Sequence, residues 1–366
     1  MQFTARREDV LRPLQLVSGV VERRQTLPIL SNVLIQATEG AVTLTATDLE
    51  VQLRGRFPAT VSEPGSATLP ARKFLDICRT LPDGADLQIQ ISGDRAALRS
   101  GRSRFTLATL PPDEFPEVAV GPDAVGFAMP QRELRELVTR THFAMALQDV
   151  RYYLNGLLLE LEAGLVRAVA TDGHRLALGE LPAPVEVPQR VQVIVPRKGI
   201  QELLRMLEDQ EGPVEIAVGG NHIQLRLADV QLTSKLVDGR FPEYQRVIPR
   251  GGDKRVTADR EGLRQALTRT SILSNEKYRG VRMLLSKGTM KLQAHNPDQE
   301  EAEEELEVAY TGSELEIGFN VTYLLDALAA IPTASVDLVL TDGNSSALIQ
   351  ADDKAGYRYV VMPMRL

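Results

Sequence analysis

The 366-residue sequence has one cysteine, four histidines and no apolar run near the roughly 20 residues that a membrane helix requires. A single thiol, Cys78, excludes an intramolecular disulfide framework and a cysteine-built zinc site, as expected of a chain in a reducing compartment. The first residues, Met1-Gln2-Phe3-Thr4-Ala5-Arg6-Arg7, contain no apolar signal core, so a cytoplasmic location is expected. His142, His174, His222 and His295 are scattered without metal-ligand spacing, and no metal site is expected. The phosphate-binding loop GxxxxGK, the dinucleotide fingerprint GxGxxG, HExxH and GxSxG are all missing, which removes the common signatures of nucleotide, zinc-protease and hydrolase chemistry. Positive charge is also short: 42 basic residues against 49 acidic ones leave a net charge of −7, which taken alone argues against a phosphate-rich partner. With 43% hydrophobic and 25% charged residues, the composition is that of an ordinary globular chain, long enough for two or three domains.

What the sequence does contain is a threefold repeat. Leu44-Thr45-Ala46-Thr47-Asp48 has counterparts in Arg167-Ala168-Val169-Ala170-Thr171-Asp172 and in Lys291-Leu292-Gln293-Ala294-His295-Asn296. A helical pattern opens each unit, with Val10, Leu14 and Val17 aligned to Leu134, Val138 and Thr141 and to Leu263, Leu267 and Thr270, in the i, i+4, i+7 spacing of one buried face. A second helix recurs later, where Phe74, Ile77 and Leu81 match Ile200, Leu203 and Leu207, then Leu324, Ala327 and Ile331. Pro70, Pro196 and Asn320 precede these helices, and the prolines mark a strand-to-helix junction. Between helices the pattern alternates, as in Leu87-Gln88-Ile89-Gln90-Ile91, which predicts antiparallel strands with one buried face. The expected fold is therefore α+β, with domains at 1–125, 126–250 and 251–366. Similar domains placed end to end raise the prospect of ring closure by a head-to-tail contact.

Charge is unevenly spread. The three domains carry about −1, −1 and −5, and the last owes its excess to Asp298-Gln299-Glu300-Glu301-Ala302-Glu303-Glu304-Glu305. The first domain has a basic stretch, Arg95, Arg99, Arg102 and Arg104, which also carries Phe105 and Leu107. Opposite charge at the two ends suits head-to-tail association, setting register while apolar contact from Phe105, Leu107, Ile272 and Leu273 supplies binding free energy. Basic residues also recur on the predicted helices: Arg6, Arg7 and Arg12; Arg132, Arg135 and Arg140; Arg260, Arg264 and Arg269; Arg72, Lys73 and Arg79; Arg197, Lys198 and Arg205. Such residues often serve solubility alone, yet on helices lining a ring they would meet phosphates without reading bases. Thr171-Asp172-Gly173-His174-Arg175 invites a catalytic reading, but the first repeat has Thr47-Asp48-Leu49-Glu50 there, so the Thr-Asp pair reads as a strand terminator and no catalytic residue is assigned.

Several longer segments carry a specific resemblance. Thr26-Leu27-Pro28-Ile29-Leu30, Asp149-Val150-Arg151-Tyr152-Tyr153-Leu154-Asn155-Gly156, Ala170-Thr171-Asp172-Gly173-His174-Arg175-Leu176, Ser234-Lys235-Leu236-Val237-Asp238-Gly239-Arg240-Phe241-Pro242, Ser274-Asn275-Glu276-Lys277 and Val361-Met362-Pro363-Met364-Arg365-Leu366 closely resemble the bacterial DNA sliding clamps, the beta subunits of the replicative DNA polymerase III holoenzyme, from Met1 to Leu366. The resemblance implies three clamp domains with helices on one face of antiparallel sheets, and a homodimer closed head to tail into a ring of pseudo-sixfold symmetry around duplex DNA. It implies a non-catalytic processivity factor without cofactors, whose partners are the replicative polymerase, the clamp loader, other polymerases and repair factors, bound through short linear peptides. By motif, the peptide pocket would use Leu154, Thr171, Gly173, His174, Arg175, Leu176, Pro242, Arg246, Val247, Asn320, Tyr323, Val360, Met362, Pro363, Met364 and Arg365. DNA contacts would come from Arg24, Gln148, Tyr152, Tyr153, Arg197 and Lys198, the two tyrosines either stacking on unpaired bases or simply packing. The dimer contact would use Arg102, Arg104, Phe105, Leu107, Ile272, Leu273, Glu300, Glu301, Glu303 and Glu304. Tyr278 departs from the family pattern, in which phenylalanine is expected. The rivals are an enzyme acting through Asp172 and His174 and a static oligomeric scaffold; retention on circular but not linear DNA separates them from a clamp.

Overall fold

The structure is a computed structural model that describes residues 1–366 except 23–26, 119, 120, 122, 123, 352–355 and 366. Six helices of 9 to 11 residues occur among the described residues, two per sequence repeat: α1 (Arg7–Val17), α2 (Ala71–Thr80), α3 (Gln131–Thr139), α4 (Arg197–Met206), α5 (Arg260–Thr270) and α6 (Val321–Ala330). No helix among them is long and apolar enough to cross a membrane. The expected buried columns are present: Val10, Leu14 and Val17, Leu134 and Val138, Leu263 and Leu267 are all buried. Thr141 and Thr270, the polar members of those columns, are buried as well, because each hydroxyl donates to a carbonyl one turn back, Leu137 at 2.7 Å and Ala266 at 2.9 Å. In α2 the inward column is Ala71, Phe74, Leu75 and Cys78, leaving Ile77 only half-buried.

Each repeat ties its first helix to the end of its second. Arg7, at the start of α1, donates from Nε to the Cys78 carbonyl at 3.0 Å, and Arg260, at the start of α5, donates to Leu328 and Thr333 at 3.3 and 2.8 Å. A guanidinium there satisfies carbonyls that the helix end leaves open and meets the negative end of its dipole. At the matching place in the second repeat, Gln131 accepts from the Glu208 amide at 3.3 Å.

The described strands form four sheets of five, eight, eight and four strands, and every named pairing is antiparallel. The chain divides into two compact units, one of residues 1–132 with 198–236, the other of 133–197 with 237–366. In the first unit, strand Val230–Lys235 pairs with Val51–Pro58, setting Leu232 opposite Leu53, so four strands of the second repeat and four of the first make one sheet. In the second unit, Arg175–Pro182 pairs with Tyr357–Val361, setting Leu176 opposite Val360, which joins second-repeat strands to those of the third. The second repeat thus contributes strands to both units. The remaining sheets each leave one charged strand at an edge: Ser103–Ala108 in the five-stranded sheet and Glu301–Glu307 in the four-stranded one.

Candidate functional site: an apolar cavity beside a strand-ending turn

In the second unit, strand Leu165–Thr171 ends in a turn held by its own side chains. The Asp172 carboxylate accepts from the amides of His174 and Arg175 at 2.9 and 3.0 Å, and the Thr171 hydroxyl accepts from Gly173 at 3.1 Å and donates to the Arg175 carbonyl at 2.6 Å. Gly173 sits at φ +89°, where a side chain is strained, and a Cβ there would lie 3.0 Å from the Arg151 guanidinium. Asp172 spends its second oxygen on Arg175 Nε at 3.1 Å and is not aimed at the imidazole of His174, so the catalytic reading of this pair has no geometry behind it.

The turn opens onto a cavity of about 180 Å³. Of the expected pocket residues, Leu154, Thr171, Gly173, Arg175, Leu176, Pro242, Val247, Val360 and Met362 line it. Arg151, Tyr153, Glu243 and Tyr244 line it too, and sequence reasoning missed them in this role. Tyr153, expected on DNA, also lines the cavity and is half-buried, whereas its neighbour Tyr152 is 58% exposed. The strand pairing of Leu176 with Val360 and a bond from the Met362 amide to the His174 carbonyl at 2.9 Å bring the C-terminal segment to the turn. Beneath the wall, the Tyr244 hydroxyl donates to Glu160 at 2.9 Å. Glu160 is 0% exposed and also meets Arg167 and Gln192, so a buried carboxylate is satisfied by several donors and fixes the wall in place. Burial pushes the Tyr244 phenol up, with the Glu160 carboxylate adding to it.

Other expected pocket residues stand outside this cavity. Asn320 caps α6, accepting from the Thr322 amide at 2.9 Å. Arg246 pairs with Glu243. Met364 and Arg365 border a separate groove with Tyr278, and Met364 donates to the Gly318 carbonyl at 2.9 Å. His174 is exposed and contributes its backbone to the turn. The Tyr323 ring lies 4.6 Å from the Arg175 guanidinium. Arg175 itself is committed: it bonds Asp172, Asp326 at 2.5 Å and the Phe143 carbonyl at 2.8 Å, with its guanidinium against the rings of Phe143 and Tyr323. Three of its five N–H donors are thus spent on building the pocket wall.

Residues 1–119, 128–243 and 245–365 match, in turn, the families described as DNA polymerase III beta subunit N-terminal domain, central domain and C-terminal domain. The chain belongs to the bacterial DNA sliding clamp family. It is 56% identical to the beta sliding clamp of Pseudomonas aeruginosa and 50% identical to that of Escherichia coli, with 100% of both chains covered in each case. The solved DNA polymerase sliding clamp of Pseudomonas aeruginosa with ligand matches with a TM-score of 0.97 at 56% identity over 100% of both chains. The protein is accordingly a DNA sliding clamp, a non-catalytic processivity factor of DNA replication. Among the described residues of this clamp, no group of three or more histidine, cysteine or acidic side chains is placed to hold a metal ion.

The clamp's expected DNA-contacting residues fare unevenly. Arg24 lies outside the described residues. Gln148 is exposed at φ +55° on a loop that Asp149 and Asn155 tie together, the Asp149 amide donating to Asn155 at 2.9 Å. Hydrogen bonds from the Arg151 side chain and amide hold the Asp149 carboxyl down at about 2. Arg197 donates to the Met145 and Ala146 carbonyls at 2.7 and 3.1 Å and so supports this loop from below. Lys198 is bound to Glu22 and Asp48.

The wider basic pattern on the clamp's helices is also largely engaged. Arg12 meets Glu208, Arg132 meets Asp209 and Glu211, Arg264 meets Glu261, and Arg269 meets Glu304. No ion pair to Arg72, Lys73 or Arg135 is found among the described residues, so the available positive face is narrower than the sequence pattern implies.

At the dimer positions, Ile272 is 73% exposed, Phe105 and Leu273 are half-buried, and Leu107 is 9% exposed. Glu303 and Glu304 are engaged by Lys291 and Arg269, whereas Glu301 and Glu305 remain exposed. Arg99 stands directly opposite Arg104 on paired strands, a like-charge pair that costs a few tenths of a kcal/mol unless an anion meets it.

Proposed function

We propose that two copies of the clamp close head to tail into a ring of pseudo-sixfold symmetry that encircles duplex DNA without reading its sequence. The observation that carries this reading is the pair of open sheet edges of opposite sign: Ser103–Ala108 with Arg102, Arg104 and the facing Arg99, and Glu301–Glu307 with alternate glutamates exposed. Each edge has a row of unpaired backbone groups, and an antiparallel partner strand satisfies them while the charges set register. Ile272 and Phe105 supply apolar area. We keep the division into domains at 1–125, 126–250 and 251–366, and assign DNA contact to Gln148, Tyr152 and the Arg197-supported loop, with Arg24 and Lys198 kept in the same role.

The cavity at the Thr171–Leu176 turn is assigned to a short linear peptide carried by the replicative polymerase, the clamp loader, other polymerases and repair factors. Aliphatic walls and Met362 suit an apolar side chain of variable shape. Tethering then acts through effective concentration: a polymerase held by its peptide to a ring that cannot leave the duplex stays at the primer end.

After loader-dependent loading, the clamp should stay on a nicked circle and be lost when the circle is linearised; equal retention on both forms sinks the topological mechanism. For the interface, Arg102→Glu with Arg104→Glu should shift the dimer to monomer on dilution in sedimentation experiments. An unchanged mass at low concentration rejects the charge-matching argument.

A further inference from the structure

The apolar cavity shares a wall with a larger depression in the same unit. The turn through Pro242, Tyr244 and Val247 borders the cavity on one side and, on the other, a groove of about 890 Å³. Three guanidiniums, of Arg190, Arg246 and Arg250, line that groove, and Glu243 is the one carboxylate among its described lining residues. Arg246 meets Glu243 with its side chain 80% exposed, and Arg190 lies 3.7 Å from the buried Glu160 with about half its surface in solvent. No ion pair to Arg250 is found among the described residues, and it is exposed. Glu160 is already satisfied by Arg167, Gln192 and Tyr244, so the groove keeps a positive excess beside an apolar hole.

We propose that this groove receives acidic residues flanking the apolar peptide motif, so that one ligand chain fills both depressions across the Pro242–Val247 turn. The inference rests on the peptide-pocket reading given above. Continuity supports it, because a chain leaving the cavity over that turn enters the groove directly. Charge supports it, because Arg250 has no ion pair among the described residues, and Arg190 keeps about half its surface in solvent beside a carboxylate it shares with other donors. Nucleic acid fits less well: the groove's aromatics, Tyr244 and Phe241, are buried and half-buried and present no open face on which a base stacks. The contribution is modest and salt-sensitive, since exposed ion pairs of this kind are individually weak.

The test uses the full-length clamp and a fluorescent tetrapeptide of leucine and phenylalanine, the bare motif, chosen to fill the apolar cavity, alone or extended with aspartates at one end or the other, with binding read by anisotropy. One of the two acidic peptides should bind about five-fold tighter than the bare motif in dilute salt, the gain shrinking below about two-fold near 0.3 M. The double variant Arg190→Gln, Arg250→Gln should erase that gain and leave the bare motif's affinity unchanged. If the bare motif binds but neither flank adds affinity, or if the gain survives in the double variant, the proposal is overturned while the pocket stands. If the bare motif fails to bind, the pocket reading falls and takes this proposal with it. An oligo-dT strand that displaces the acidic flank while the apolar motif stays bound reassigns the groove to phosphate and also overturns it.

Discussion

The turn at Thr47–Val51 and the turn at Thr171–Arg175 are built from the same hydrogen bonds. Asp48 accepts from Glu50 and Val51 at 2.9 and 2.7 Å, as Asp172 does from His174 and Arg175. The hydroxyl of Thr47 accepts from Leu49 and donates to the Val51 carbonyl, as that of Thr171 does with Gly173 and Arg175. Even the next strand is tied alike: Lys235 donates to the Glu50 carbonyl at 2.7 Å, and Met362 to that of His174 at 2.9 Å. Four substitutions separate the two, the second being the exposed Glu50 in place of His174. Leu49 at φ +78° stands where the second turn has Gly173, Val51 is a core residue where Arg175 spans two carboxylates and two rings, and Lys235 stands in place of Met362. One backbone device is therefore structural in the first repeat and borders a cavity in the second, because side chains alone decide what lies beside it.

The comparison breaks most visibly at the third substitution site in each turn. Arg175→Ala should lower the clamp's unfolding free energy by about 3 kcal/mol, since Arg175 is only 13% exposed and its removal leaves Asp172 and Asp326 without their shared cation. Denaturant unfolding measures this, and a loss below about 1 kcal/mol would show that Arg175 is not the keystone of the turn. A smaller effect is expected from exchanging the left-handed residues. Gly173→Leu should push against Arg151 and close the cavity, weakening peptide binding by at least about ten-fold, as a ligand's apolar side chain loses its seat. Leu49→Gly should leave peptide affinity untouched and change stability by less than about 1 kcal/mol, because relief of left-handed strain is offset by added chain entropy. Equal peptide affinity in Gly173→Leu and the parent protein removes the distinction between the turns.

The smallest effect concerns pH. Asp149 titrates at about 2 instead of its ordinary 3.8 because Arg151 binds its ionised form. Its folded value is depressed, so the stability it contributes is fully present above about pH 4 and is lost as pH falls through about 2. The loop should therefore show no response from this group between neutrality and pH 5. A carboxyl titration by NMR checks the sign, and an Asp149 midpoint at 3.8 or above would detach Arg151 from the loop that borders the cavity.

Local patterns carried much of this clamp. The helix columns, the strand alternation and the Thr-Asp terminators depend on periodicity and on side chains bonding their own backbone within four residues, all of which are readable along the chain. The cavity was readable where its residues lie in motifs, as with Leu154, Gly173, Leu176 and Met362. Tyr244 escaped notice because its role comes from Glu160, 84 positions away, and no local signal marks that pairing. Leu107 has two possible faces as a strand residue beside exposed arginines, and only the register that sets Ala96 opposite it decides how much of it is buried. The helix arginines show a related limit of local reading: composition shows a cation but not the carboxylate beside it, as Glu208 is for Arg12 and Asp48 for Lys198.

The threefold repeat, the buried columns of α1, α3 and α5, and the backbone turns follow from the sequence, since short-range sterics and hydrophobic periodicity act between neighbours. Tertiary structure alone decided that the second repeat contributes strands to two units, that Tyr153 turns into the cavity while Tyr152 faces water, and which charges remain unpaired. Those outcomes depend on strand partners and counter-charges drawn from distant segments, whose proximity folding creates.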